Sequence, residues 1–138
     1  LLDIISPPDL KLNLSSNETW KLFHAFVIHY DASNPNQSSH PQHLDDSDLT
    51  LNLCLGDIFT GGDLVVHSDS QKPITYQQKP GQLFIHAGNL SHSANPISSG
   101  KRYNLVIWLK KQQIDEERNG TTFSDLPSEI IVKILSFL

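Results

Sequence analysis

Leu49-Thr50-Leu51-Asn52-Leu53-Cys54-Leu55 alternates a leucine with a smaller or polar residue for seven positions. A strict period of two puts the leucines on one face of an extended strand and Thr50, Asn52 and Cys54 on the other. Similar short segments lie on both sides: Phe26-Val27-Ile28 running on to Tyr30, Leu64-Val65-Val66, Ile74-Thr75-Tyr76, Leu83-Phe84-Ile85, residues 91–95 and Tyr103 to Leu109. Turn-forming stretches separate them: the polar 31–40 segment, Phe59-Thr60-Gly61-Gly62, Lys79-Pro80-Gly81, His86-Ala87-Gly88-Asn89 and Asn95 to Gly100. Seven or eight short strands at this spacing predict an all-β sandwich or barrel.

The ends have a different character. Residues 1–22 read as an irregular lead-in broken at Pro7-Pro8. Residues 111–122 read as a polar linker with a break at Asn119-Gly120. Apolar residues then recur at 130, 131, 134, 135 and 138, with Pro127 and Glu129 in the first turn, which predicts an amphipathic helix. A chain that opens at Leu1 and closes inside an apolar pattern is expected to be a piece of a longer protein.

The chain has 138 residues, enough for one domain. Its formal charge of −5 argues against a nucleic-acid surface, which needs clustered Lys and Arg. No apolar run approaches the ~20 residues of a membrane-spanning helix, and no signal-peptide pattern is present. The single Cys54 excludes an intrachain disulfide and favours a reducing compartment, cytoplasmic or nuclear. Five N-x-[ST] sequons, at Asn13, Asn17, Asn36, Asn89 and Asn119, point weakly the other way, toward the secretory pathway.

One constellation carries chemistry. His43 and Asp45 are two apart, so on a strand they share a face. His92, arriving from a distant strand, would complete two imidazoles and one carboxylate on one side of a metal, the facial set that suits non-haem Fe(II). Arg102 follows ten residues later and offers a planar fork for a carboxylate. A second H-x-D, His29-Tyr30-Asp31, lacks a comparable sequel. His86 rivals His92, since both could face inward; His92 is preferred because Arg102 follows across a turn, on what should be the adjacent strand of the same wall. His40 is placed in the loop, Cys54 in the core, and Asp46 and Asp48 at the turn.

Taken together, His43-Leu-Asp45…Ser47…Thr50, Phe59-x-Gly-Gly, Gly81-x-Leu-Phe-Ile-His-x-Gly-x-x-x-His92 and Pro96…Gly100-x-Arg102-Tyr103 resemble the core of the 2-oxoglutarate, Fe(II)-dependent oxygenases. The prolyl 4-hydroxylase-like branch, which includes lysyl hydroxylase cores, is the most similar in pattern. The resemblance covers residues 24–110 and implies a double-stranded β-helix, or jelly roll. It makes His43, Asp45 and His92 the metal ligands, Arg102 the partner of the distal carboxylate of 2-oxoglutarate, and Tyr30 a hydrogen-bond donor to the same group. The implied reaction hydroxylates a C–H bond, of a prolyl or lysyl type side chain, using Fe(II), O2 and 2-oxoglutarate, with ascorbate as a further cofactor and a protein or peptide as substrate. The helices that usually buttress such a barrel are largely missing before residue 20.

A second resemblance covers residues 123–138. Phe123-x-x-Leu126-Pro127-x-Glu129-Ile130-Ile131-x-x-Ile134-Leu135-x-x-Leu138 is similar to the first helix of an F-box. It implies a Skp-type adaptor as partner, and hence an alternative function: a non-catalytic substrate receptor of a ubiquitin ligase that uses the barrel for recognition. A cupin-like Zn or Mn protein is a third reading.

Overall fold

The computed structural model describes residues 3–7, 19–67 and 72–112. Among these every regular element is a strand: β1 (Asp3–Ile5), β2 (Thr19–Asp31), β3 (His40–His43), β4 (Leu49–Gly56), β5 (Phe59–Gly61), β6 (Leu64–Val66), β7 (Ile74–Tyr76), β8 (Gln82–Ala87), β9 (His92–Ala94) and β10 (Ile97–Gln112). The expected all-β class holds, and the arrangement is consistent with a jelly roll. The helix and F-box opening read for 123–138, and most of the linker, lie outside the described residues.

Two sheets form. The larger runs β1-β8-β4-β10-β2 with β5 added along β10, and the smaller runs β3-β9-β6-β7. All pairs are antiparallel except β1 with β8. The alternation of β4 works as read: Thr50 and Cys54, in the middle of the larger sheet, are 1% and 0% exposed. Leu49 and Leu53 on its other face are buried as well. Apolar residues join the layers in two clusters. One is Leu64, Val66 and Phe84, flanked by Ile5, Tyr76 and Leu90; the other is Tyr30, Ala94 and Ile97, flanked by Ile28, Ala32 and Phe59. Each buried aliphatic or aromatic side chain contributes about 1.5–3 kcal/mol.

Several local expectations are corrected. Two strands, β1 and the start of β2, lie within the stretch read as irregular. The Phe59–Gly62 turn contains β5, and the Asn95–Gly100 turn is already β10 from Ile97, because this segment pairs with β5. The polar look of Ser98 and Ser99 hid that strand; both hydroxyls bond Thr60 Oγ1, at 2.7 Å each, on the exposed edge. Gly100, at φ +76°, is where β10 passes from pairing with β5 to pairing with β2, and a side chain there would collide with the Ile58 carbonyl. β10 then runs on beside β2 and β4 to Gln112. His40 begins β3 and is not a loop residue.

Candidate metal centre

A cavity of about 310 Å³ lies between the sheets. Tyr30, Ile28, Phe26, Asn52, Val106 and Trp108 line it from the larger sheet. His40, His43, Leu64, His92 and Ala94 line it from the smaller one, and Leu44 and Asp45 from the connection to β4.

His43, Asp45 and His92 meet at this cavity, with their potential ligand atoms all within 4.8 Å of one another. Strand pairing causes this: His43 is the register partner of His92 across β3 and β9. Asp45 follows in the bend after β3, where its N–H donates to the Gly88 carbonyl at 2.9 Å. Asp45 Oδ1 is 3.3 Å from His43 Nε2 and 3.9 Å from His92 Nε2.

Both rings are aimed by the backbone. His43 Nδ1 lies 2.9 Å from the Pro41 carbonyl and His92 Nδ1 2.9 Å from the Leu90 carbonyl. A carbonyl oxygen only accepts, so each Nδ1 is the donor, which leaves each Nε2 as the ring atom turned to the cluster. Burial lowers the pKa of His92 below the ordinary histidine value and keeps its ring neutral, as a ligand must be. Two imidazole nitrogens and one carboxylate oxygen, gathered beside a cavity, fit a divalent cation of the Fe(II) type with positions left open for other ligands.

His86 is also buried, at 0% exposure, and its Nε2 faces the other oxygen, Asp45 Oδ2, at 3.6 Å. Its Nδ1 donates to the Ala87 carbonyl. Burial, and then the neighbouring His92, push its pKa down to about 4. It stands behind Asp45, outside the three-residue cluster. His40 packs edge-on against His43, with ring centroids 4.4 Å apart, and burial lowers its pKa. The second H-x-D is elsewhere: His29 stacks on Tyr103, and Asp31 pairs with Lys101 at 3.1 Å.

Arg102 is 2% exposed. Its Nη1 donates to the Gly62 carbonyl, and its Cζ lies 4.2 Å from the Tyr30 ring centroid. Nε has no hydrogen-bond partner among the described residues. Register explains the pairing, since Arg102 and Tyr30 are opposite each other on β10 and β2. Burial raises the Tyr30 pKa, and Arg102 opposes that shift. His92 and Arg102 are not on adjacent strands of one wall, as the sequence suggested: β9 belongs to the smaller sheet and Arg102 to the part of β10 in the larger.

Sequence reasoning passed over three features. Thr50 and Ser47 were part of the motif but had no role; Thr50 Oγ1 donates to Asp45 Oδ2 at 2.6 Å and lies 2.7 Å from Ser47 Oγ. Gly62 approaches Arg102 so closely that a Cβ would come within 2.9 Å of Nη1. Asn104 donates to Asn52 Oδ1 and Gln78 Oε1, at 2.6 and 2.7 Å, in a buried amide cluster beside the cavity. The signal for this cluster was the spacing of two between Arg102 and Asn104, and between Thr50 and Asn52.

Comparison with known proteins bears on this geometry. No family model matches the chain. The 2-oxoglutarate and iron-dependent oxygenase domain-containing protein ICU11 of Arabidopsis thaliana is 36% identical over 88 residues, 56% of this chain and 22% of that protein. The 2-oxoglutarate and iron-dependent oxygenase domain-containing protein 2 of Homo sapiens is 37% identical over 78 residues, 52% of this chain and 22% of that one. This chain is similar to 2-oxoglutarate and iron-dependent oxygenases. It spans about a fifth of the length of those two relatives. The procollagen lysyl hydroxylase and glycosyltransferase of Acanthamoeba polyphaga mimivirus is 44% identical over 92 residues, 62% of this chain and 10% of that protein. Among solved structures, an oxidoreductase of the 2OG-Fe(II) oxygenase family from Burkholderia pseudomallei superposes with a TM-score of 0.58 at 20% identity. That match covers 66% of this chain and 45% of the other. A Pseudomonas putida prolyl-4-hydroxylase superposes with a TM-score of 0.53 at 17% identity, covering 64% and 51%. These two similarities establish the fold.

Proposed function

We propose that this chain is the core of an Fe(II)- and 2-oxoglutarate-dependent dioxygenase that hydroxylates a C–H bond of a protein side chain. The single observation that carries the reading is the His43–Asp45–His92 cluster, its imidazoles already aimed by backbone carbonyls and opening on a cavity between two sheets. The names of the oxygenase relatives support it. A protein or peptide substrate of prolyl or lysyl type is suggested by the names of two similar proteins, a procollagen lysyl hydroxylase and a prolyl-4-hydroxylase.

In this reading His43, Asp45 and His92 hold Fe(II), which, when bound with 2-oxoglutarate and O2, couples decarboxylation of the keto acid to insertion of one oxygen atom into the substrate. Arg102 supplies the buried cation for the distal carboxylate of 2-oxoglutarate, and Tyr30 supplies a hydroxyl beside it. The proximity of Tyr30 and Arg102 fixes the direction of that carboxylate, and a fixed direction removes rotational freedom before the reaction starts. The apolar walls, Phe26, Ile28, Val106 and Trp108, limit water around the reacting groups.

The test is Fe(II)-dependent formation of succinate from 2-oxoglutarate by the full-length protein. Wild type should form succinate, and His92→Ala or Asp45→Ala should reduce its rate at least a hundredfold. Absence of 2-oxoglutarate binding and of succinate in the iron-loaded wild type, across a pool of peptides, would overturn the reading.

A further inference from the structure

The two oxygens of Asp45 meet different surroundings. Oδ1 faces His43 and His92. Oδ2 faces away from them and accepts a hydrogen bond from Thr50 Oγ1 at 2.6 Å. The Thr50 hydroxyl has one proton, and a carboxylate oxygen can only accept. Thr50 therefore donates to Asp45, and Ser47 Oγ, 2.7 Å away, donates to Thr50. The two hydroxyls form a directed relay, Ser47 to Thr50 to Asp45. Thr50 is 1% exposed and Ser47 9%, so water does not compete for either.

The third group near Oδ2 cannot replace the relay. His86 Nδ1 donates to the Ala87 carbonyl, so the neutral ring turns a lone pair toward the carboxylate at 3.6 Å. Among the described residues Thr50 is the hydrogen-bond donor that Oδ2 has. The relay is also built in by the backbone. Gly88 lies so close to Ser47 that any Cβ would collide with the Ser47 carbonyl and approach its Oγ to 2.5 Å. The Gly88 carbonyl meanwhile accepts the Asp45 N–H. One glycine at the end of β8 thus brings both ends of the 45–47 segment to their places.

We infer that Thr50 and Ser47 are positioning residues that make Asp45 a one-oxygen ligand. With Oδ2 occupied by a hydroxyl, only Oδ1 is offered to a cation between His43 and His92. A carboxylate free to rotate would offer both oxygens and take up a coordination position that the co-substrate needs. This inference rests on the iron reading and is separable from it by experiment.

The probe is Co(II) alone, added to the full-length protein, with binding and geometry read from its visible absorption spectrum. Thr50→Val is nearly isosteric and removes the donor. It should weaken Co(II) binding about ten- to hundredfold, the usual effect of losing a group that orients a metal ligand, and should shift the spectrum. Thr50→Ser should restore both, to within about threefold in affinity, and Ser47→Ala should fall between. A packing role alone would lower the melting temperature without moving the spectrum. Thr50→Val binding Co(II) within twofold of wild type, with an unchanged spectrum, overturns the proposal. If Thr50→Val does not fold, unchanged affinity and spectrum in Ser47→Ala overturn it instead. Asp45→Ala separates the two levels: retention of tight Co(II) binding in that variant would remove the metal centre itself, whatever Thr50 does.

Discussion

At the scale of single residues, Arg102 combines two demands that usually conflict. A guanidinium removed from water is costly unless its hydrogen bonds are met and a countercharge is near. Here the Gly62 carbonyl takes one N–H, the Tyr30 ring faces the cation, and Nε has no partner among the described residues. An anion at this position would complete the set. Replacing Arg102 with Gln should therefore raise the KM for 2-oxoglutarate far more than it lowers kcat. A charge-assisted pair lost here is worth about 1.5–3 kcal/mol, or roughly ten- to hundredfold. Arg102→Lys should recover only part, because an ammonium cannot form the bidentate contact. Initial-rate measurements of succinate formation at varied 2-oxoglutarate would decide. Equal KM values in wild type and Arg102→Gln would place the co-substrate elsewhere.

At the scale of elements, the site depends on how strand ends are pinned. β3 and β9 bring His43 and His92 into register. The bend carrying Asp45 is held by the end of β8 through Gly88 and by β4 through Thr50. Gly88→Ala should push the 45–48 segment outward, costing about 1–3 kcal/mol of stability for the overpacking. The same change should weaken metal binding at least tenfold, measured by titration with Mn(II). Unaltered metal affinity in a folded Gly88→Ala protein would show that the bend holds its shape without this contact. The long β10 has a different task. It starts against β5 and from Lys101 onward continues between β2 and β4, so one strand carries Arg102, Asn104, Val106 and Trp108 past the cavity.

At the scale of the whole molecule, the centre joins the two sheets. His43 and His92 belong to the smaller sheet, while Asp45 is tied to β4 in the larger through Thr50. A cation that binds the folded state and not the unfolded one adds about 2.7 kcal/mol at a hundredfold excess over its Kd. Mn(II) should raise the melting temperature of the wild-type protein by several degrees, and should leave that of His92→Ala unchanged. Calorimetry with and without chelator measures both. The chelated protein should also be acid-sensitive in a defined window. The folded-state pKa of His86 is lowered to about 4 from an ordinary 6.5, and burial lowers that of His92 too. The unfolded chain then binds protons that the folded chain refuses, so stability falls as pH drops below the ordinary histidine range, for His86 down to about 4. Denaturant midpoints that stay flat over this range would show that both rings accept protons in the folded state.

Much of this protein was legible in the amino-acid sequence, and the residues themselves explain how much. The period of two at Leu49–Leu55 is a local property of an extended chain, so the strand and the all-β class could be read directly. The H-x-D pair is a weak sign alone and occurs twice, so the cluster could be expected only from the longer string running from His43 to Arg102 and its resemblance to the oxygenase core. Contacts between distant segments left no such mark. Nothing local told that Ser98 and Ser99 lie in a strand, because its pairing with β5 arises only when the chain closes on itself. Nothing local told that His92 and Arg102 stand on different sheets, since that depends on which distant strands β9 and β10 pair with. The roles of Thr50, Ser47, Gly62 and Gly88 were likewise hidden: a hydroxyl becomes a donor to Asp45, and a glycine becomes indispensable, only through what tertiary packing sets against it. Sequence determined which groups are available and which way alternate side chains point. Tertiary structure decided which oxygen, which proton and which cavity they share, because those depend on distances between residues far apart in the chain.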